Sequence, residues 1–228
     1  TTPVVTAEKA EVKVGVKIQH KATDTGDVTV VATILDAGGK EVEREQSLKA
    51  LINRAGGGTE SEVMLPLQVP RPELWTVEKP VMYRLRTEVQ VAGKTVDMTE
   101  TPFGIRTIAF DVNKGFLLNG EQVKIKGVCL HADAGAFGGA VPEDVWERRL
   151  VELKAMGANA VRCSHNPPAP EFLDLCDRLG VLVMDEAFDE WTGRKGQLKG
   201  DYTTEFAEWS QKDLETMLLR DRNHPSIV

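Results

Sequence analysis

Asn159-Ala160-Val161-Arg162-Cys163-Ser164-His165-Asn166-Pro167 is the stretch that organises the chain. An apolar helical pattern ends just before it in Met156-Gly157-Ala158, and a short apolar strand, residues 160–162, follows at once. A guanidinium, a hydroxyl, an imidazole and an amide then arrive together, closed by Pro167 and Pro168. Helix, glycine, short buried strand and polar cluster is the order in which a barrel of parallel strands presents active-site residues at strand C-termini. Arg162 cannot sit unpaired in a dry core, because desolvating its charge costs too much. A carboxylate partner inside a site is therefore expected.

Working outward, the same grammar repeats. The pattern Phe116-Leu117-Leu118, Asn119-Gly120, then residues 123–125 reads as a hairpin with a primed turn. Residues 124–130 read as a buried strand running into His131-Ala132-Asp133 and a glycine-rich loop. The stripe Trp146, Leu150, Leu153 marks one helix face, begun by Pro142 and closed by Gly157. Phe172, Leu175, Cys176 and Leu179 mark a second helix, ended by Gly180. Val181-Leu182-Val183-Met184 is a continuous apolar strand that ends in Asp185-Glu186. A loop with Phe188, Trp191 and Gly193 leads to a third helix over residues 203–223, and Ser226-Ile227-Val228 begins another strand. Such β-α-β repetition allows an open doubly wound sheet or a (β/α)₈ barrel. No glycine-rich phosphate turn follows the first strand, which argues against a dinucleotide-binding sheet. Three units and the start of a fourth predict the N-terminal part of a TIM barrel, since a whole barrel needs about 250 residues.

Residues 1–106 follow another rule. Polar and apolar residues alternate over 11–18, and residues 28–35 form a second strand that ends in the turn Asp36-Ala37-Gly38-Gly39-Lys40. Further strands are predicted at 63–67, 83–91 and 95–99, with Ala92-Gly93-Lys94 as a turn and residues 55–59 as a loop. Short strands without an intervening helical stripe predict an immunoglobulin-like β-sandwich. The expected domains are 1–106, the sandwich, and 107–228, the truncated barrel, with Phe103-Gly104-Ile105-Arg106 leading from one to the other.

The 228 residues carry a net charge of −7, which argues against nucleic acid or an anionic membrane as partner. Cys129, Cys163 and Cys176 are too few for a disulfide framework, lie in apolar elements, and read as small hydrophobes that favour no compartment. No apolar run is long enough to span a membrane and no signal peptide opens the chain. The chain lacks an initiator Met and stops in an apolar run, so it reads as a piece of something longer. An incomplete barrel exposes strand edges and apolar helix faces, so self-association is expected.

Several long motifs, in order over most of the chain, resemble glycoside hydrolase family two. Leu74-Trp75-Thr76-Val77-Glu78-Lys79-Pro80-Val81-Met82-Tyr83 is similar to the end-of-sandwich motif. The stretch 159–167, with Phe172-Leu173, Cys176-Asp177-Arg178 and 180–186, is similar to the first barrel signature. Asp221-Arg222-Asn223-His224-Pro225-Ser226-Ile227-Val228 is similar to the opening of the second, which in the family continues through a Trp to an Asn-Glu pair whose Glu is the acid/base. The family's N-terminal jelly-roll domain has no counterpart here. Gly127-Val128-Cys129-Leu130-His131 and Arg162-Cys163-Ser164-His165 look most like the β-galactosidase branch, with β-glucuronidase as runner-up. The resemblance implies that His131 and His165 contact a sugar, and that Arg162 holds the nucleophilic Glu, which lies beyond Val228. Glu186 matches a magnesium-binding position of some members, but Phe188 stands where a second ligand, a His, would be, so no metal or other cofactor is expected.

A retaining glycosidase needs two carboxylates about 5 Å apart. Asp185 and Glu186 cannot be that pair, because adjacent strand residues point to opposite faces. The candidate substrate-binding residues are His131, Asp133, Arg162, His165, Asn166, Glu186 and Trp191, with both catalytic Glu residues outside the chain. Asp133 also suits a cap for the glycine-rich loop, Arg162 could pair structurally with Glu186, and Trp191 suits a loop anchor as well as a sugar platform. Trp146 and Trp209 read as helix core, Trp75 as sandwich core, and His224 as a complement to its own helix end. The parent is expected to be an exo-acting β-galactosidase, with this piece inactive alone. A non-catalytic carbohydrate-binding or interaction module is the alternative of another class.

Overall fold

The computed structural model describes residues 1–20, 27–47, 50–51, 60–192 and 202–228. The expected loop at 55–59 and Gly193 lie outside the described residues. Two compact units are present: Thr1–Leu74 with Val81–Arg106, and Trp75–Pro80 with Thr107–Val228.

The first unit is built from β1 (Val4–Val5), β2 (Lys9–Gln19), β3 (Asp27–Leu35), β4 (Glu41–Gln46), β5 (Ala50–Leu51), β6 (Glu60–Pro70), β7 (Tyr83–Val91) and β8 (Lys94–Phe103). They form an antiparallel sheet β1-β2-β6 and a second, β4-β3-β7-β8, with β5 paired to β3. The period-two pattern places Val12 and Val14 of β2, Val63, Leu65 and Leu67 of β6, and Val30, Ala32 and Ile34 of β3 in one core. Pro66 faces Lys13 in register, and β6 is an edge strand, where a missing N–H breaks no ladder. β4 is an edge too: four of the six residues Glu41-Val42-Glu43-Arg44-Glu45-Gln46 are charged, as exposed edges often are, and Val42 packs against the core.

The second unit opens with β9 (Ile108–Asp111), β10 (Gly115–Leu118) and β11 (Glu121–Gln122), an antiparallel sheet. Asn119 and Gly120, both at positive φ (55° and 82°), make the tight turn between β10 and β11. Then come β12 (Gly127–His131), α1 (Glu143–Ala155), β13 (Ala160–Ser164), α2 (Pro170–Leu179), β14 (Leu182–Met184) and α3 (Phe206–Asp221). β12, β13 and β14 are parallel and neighbouring, and Ile227 bridges in parallel to Val183. One face of this sheet gives Val161, Cys163 and Val183 to a core with Trp146 and Leu150 of α1 and Phe172, Leu173, Leu175 and Cys176 of α2. The other face carries Cys129, Arg162 and Met184 in register.

Four expectations need correction. Residues 124–130 are not a buried strand: β12 alternates between exposed and half-buried, being outermost in its sheet, and Cys129 is exposed rather than a core hydrophobe. Trp75 belongs to the second unit, fully buried, with its indole N–H donating to the Asp177 carbonyl at 2.9 Å. Trp209 is 43% exposed beneath the Lys212 ammonium, 4.3 Å from the ring centre, not in a core. His224, read as a complement to its own helix end, gives its imidazole to Asp177 of α2, Nδ1 to Oδ2 at 2.6 Å.

Candidate functional site

Parallel pairing aligns the strand C-termini. His131 is opposite Ser164, and Arg162 lies between Cys129 and Met184. Glu186 follows β14 by two residues. Arg162 grips it from both sides of the carboxylate: Nε to Oε2 at 2.6 Å and Nη2 to Oε1 at 2.9 Å. His165 Nδ1 meets the same Oε1 at 3.0 Å. Toward the carboxylate Nδ1 acts as donor, and Arg162 Nη2 lies 3.3 Å from the same nitrogen. The His131 ring stands edge-on to His165, 5.2 Å between centres at 82°. The Ser164–His165 peptide is cis. Arg162 Nη1 also reaches the Cys129 thiol at 3.7 Å, a contact that the sequence did not advertise.

Burial would raise the Glu186 carboxyl, but hydrogen bonds from His165 and Arg162 and the guanidinium charge outweigh it and hold it below the usual range. Glu186 is thus a fixed carboxylate, suited to accept hydrogen bonds and unsuited to donate a proton. Its neighbour Asp185, also past the end of β14, meets Asp221 instead and is pushed up to about 6 by burial and by the Asp221 carboxylate. The cluster therefore holds one carboxylate, two imidazoles and a guanidinium at one rim. It can orient hydroxyl groups. It does not by itself contain the two opposed carboxylates of a double displacement.

The other candidates stand apart from this grip. Asp133 is exposed, and what its residue contributes is a carbonyl accepting Arg149 Nη1 at 2.7 Å. Asn166 is exposed beside a cavity of about 270 Å³ that His131 also lines. Trp191, 65% exposed, stacks on Phe206 of α3 at 6.5 Å and 17°, so it anchors its loop. Phe188 stacks on Tyr202 at 5.3 Å and 12° and meets Phe206 edge-on.

A magnesium ion does not fit here. Both Glu186 oxygens are taken by cationic or N–H donors, the guanidinium would repel a cation, and Phe188 offers no oxygen ligand. Asp174, Asp177 and His224 also bring ligand atoms within 4.8 Å of one another. There the Nδ1–Oδ2 bond at 2.6 Å joins two of the ligands directly, and Asp177 Oδ1 accepts the Ser226 N–H at 3.0 Å.

Residues 110–228 match the family described as "Glycosyl hydrolases family 2, TIM barrel domain", and residues 1–106 match "Glycosyl hydrolases family 2". The chain belongs to glycosyl hydrolase family 2: a family sandwich domain followed by part of its TIM barrel domain. It is 45% identical over 227 residues to the Beta-galactosidase BoGH2A of Bacteroides ovatus, covering 100% of this chain and 26% of that protein. It is 46% identical over 161 residues to a Putative beta-glucuronidase of Formosa agariphila, covering 71% of this chain and 15% of the relative. A family 2 member from Bacteroides cellulosilyticus has a similar structure, with a TM-score of 0.93 at 39% identity over 100% of this chain and 29% of that one. The chain thus spans about a quarter of the length of the β-galactosidase that it resembles along its whole length. Among the described residues no helix is long and apolar enough to cross a membrane.

Proposed function

We propose that the chain is part of a retaining exo-glycosidase that releases terminal β-galactosyl groups by double displacement, and that it supplies sugar-positioning groups rather than the catalytic carboxylates. The observation that carries this is the Arg162–Glu186–His165 grip with His131 beside it, all at the C-terminal ends of parallel strands. The rings of His131 and His165 address sugar hydroxyls, and Glu186 holds Arg162 and His165 in place beside them. Asp133, Asn166 and Trp191 stand outside this cluster, and any contact they make with a sugar belongs to the same proposal. By the family resemblance the acid/base Glu would follow residue 228, after a Trp and an Asn, and the nucleophile would come from a later strand end. The 228 residues alone should therefore release no nitrophenol from 4-nitrophenyl β-galactoside. Extension through both Glu positions should restore release. Turnover by the 228 residues would overturn the assignment of roles, and an extended chain that binds galactosides but never cleaves them would favour the non-catalytic module.

A β-glucuronidase is the second reading, favoured by the 46% identical relative named for that activity. A glucuronate carboxylate calls for a cation, and the guanidinium in the cluster, Arg162, is already spent on Glu186. That favours a neutral sugar. Parallel assays of the extended chain with nitrophenyl galactoside and glucuronide decide between them.

A further inference from the structure

Glu186 takes Nε and Nη2 of Arg162 and leaves Nη1 to another partner. That partner is Cys129, whose sulfur lies 3.7 Å from Nη1. The contact is built into the sheet, because Cys129 of β12 pairs in register with Arg162 of β13 and the two side chains share one face. A guanidinium offers only donors, so the sulfur is the acceptor. Ser164, 3% exposed, bonds the same sulfur with its hydroxyl, and with Arg162 it holds the thiol below its usual range. Val128 and Leu130, on either side of Cys129 along β12, pack against the core, whereas Cys129 itself is exposed. A small hydrophobe gains little there; an acceptor for a cation gains a charge-assisted hydrogen bond.

We propose that Cys129 is a positioning residue for Arg162, its sulfur fixing the guanidinium nitrogen that Glu186 does not hold. Gripped only at Nε and Nη2, the guanidinium is free to rock about that edge. With the sulfur on Nη1 its plane is tied to both neighbours of the central strand β13: to β12 through Cys129, and to the chain just past β14 through Glu186. This sets where the remaining N–H groups of Arg162 point. A residue that is to hold a second carboxylate needs that, since donors already in place require no reorganisation at the moment of reaction. For its effect on turnover the inference rests on the sugar-site reading proposed above, in which by family resemblance Arg162 holds the nucleophilic Glu of the parent. The hold of Cys129 on Arg162 does not rest on that reading.

Two measurements test it. On the 228-residue chain, nitrogen-edited NMR at low temperature follows the Arg162 side chain. The two Nη1 hydrogens should give separate signals, because the sulfur slows rotation about the Cζ–Nη1 bond. Cys129→Ala should merge them and leave the Nε–H signal, held by Glu186, in place. Cys129 is exposed, so this variant should fold. Nη1 signals already merged in the unmodified chain, or unchanged by Cys129→Ala, overturn the proposal, and so does an Nε–H signal lost along with them. On the chain extended through both Glu positions, Cys129→Ala should lower kcat for 4-nitrophenyl β-galactoside about twofold to tenfold, the range expected for one modest hydrogen bond, with KM unchanged. A rise in KM at unchanged kcat, or no change in either, overturns the role of Cys129 in turnover. An unmodified extended chain that cleaves no β-glycoside overturns the sugar-site reading instead, and the NMR signals still decide whether Cys129 holds Arg162.

Discussion

Asp177→Ala is the perturbation whose size the structure specifies best. Asp177, near the end of α2, is 2% exposed and holds two groups from beyond α3. Oδ2 takes the His224 imidazole at 2.6 Å, and Oδ1 accepts the N–H of Ser226, itself 0% exposed. Removing the carboxylate leaves a buried N–H orphaned, at about 1–3 kcal/mol, and deletes a hydrogen bond to a charged group, at about 1.5–3 kcal/mol. The expected loss is about 3–5 kcal/mol, the range for breaking one half of a buried pair. The consequence is local first. Residues 226–228 hold to β14 through Val183 N–H to the Ser226 carbonyl at 2.8 Å and Val228 N–H to the Val183 carbonyl at 3.0 Å. These two amides should lose their protection against hydrogen exchange before the rest of the sheet. The pairing also carries a pH signature. Burial lowers the His224 pKa, but the hydrogen bond and charge of Asp177, aided by Asp174 and Asp221, outweigh it and leave it raised. A raised histidine stabilises fully below its unfolded value, about 6.5, and the contribution is lost as pH rises through the folded value. The stability gap between the unmodified chain and His224→Gln, read by urea unfolding and circular dichroism, should therefore be widest near pH 6 and narrow as pH rises above neutrality. A gap flat in pH, or an Asp177→Ala cost under about 1 kcal/mol, would refute the reasoning.

Other outcomes follow from single positions. Gly180 and Gly157 both have positive φ, 68° and 90°, but only at Gly180 would a Cβ meet backbone, the Val77 carbonyl oxygen at 2.3 Å. Gly157→Ala should cost about 1–2 kcal/mol for its backbone conformation, and Gly180→Ala about 1–3 kcal/mol more for the clash; equal melting temperatures for the two variants would refute the close approach. Asp185→Asn removes a carboxyl pushed up by burial and by Asp221. Because a raised acid loses its stability contribution as pH rises from about 4 through about 6, this variant should gain stability at pH 7 and none at pH 3.5, as measured by paired melts. Iodoacetamide should label exposed Cys129 in the folded chain and spare Cys163, whose thiol burial pushes up to about 12; mass spectrometry of tryptic peptides checks it. The apolar side chains of α3 stay open, with Leu218 57% and Leu219 46% exposed, so the chain is expected to self-associate. A monomer by light scattering at high concentration would count against that.

The sequence by itself determined the alternation of the sandwich strands and the β-α-β order of the second unit. Both are periodicities, and which side of a strand or helix meets oil is decided within a few residues. It also determined that Arg162 needed a carboxylate, which follows from the cost of a bare buried charge. Glu186 was already named from the sequence as a partner for Arg162; only the tertiary structure decided between it and a carboxylate beyond residue 228, and that His165 would share it. It moved Trp75 out of the sandwich core and onto Asp177, and it gave the same residue's side chain to His224 across 47 positions of chain. It also left Trp209 in the open and set the Cys129 thiol against Arg162. These are contacts between distant segments, fixed by how packed layers bring chain ends together, and no short-range pattern encodes them.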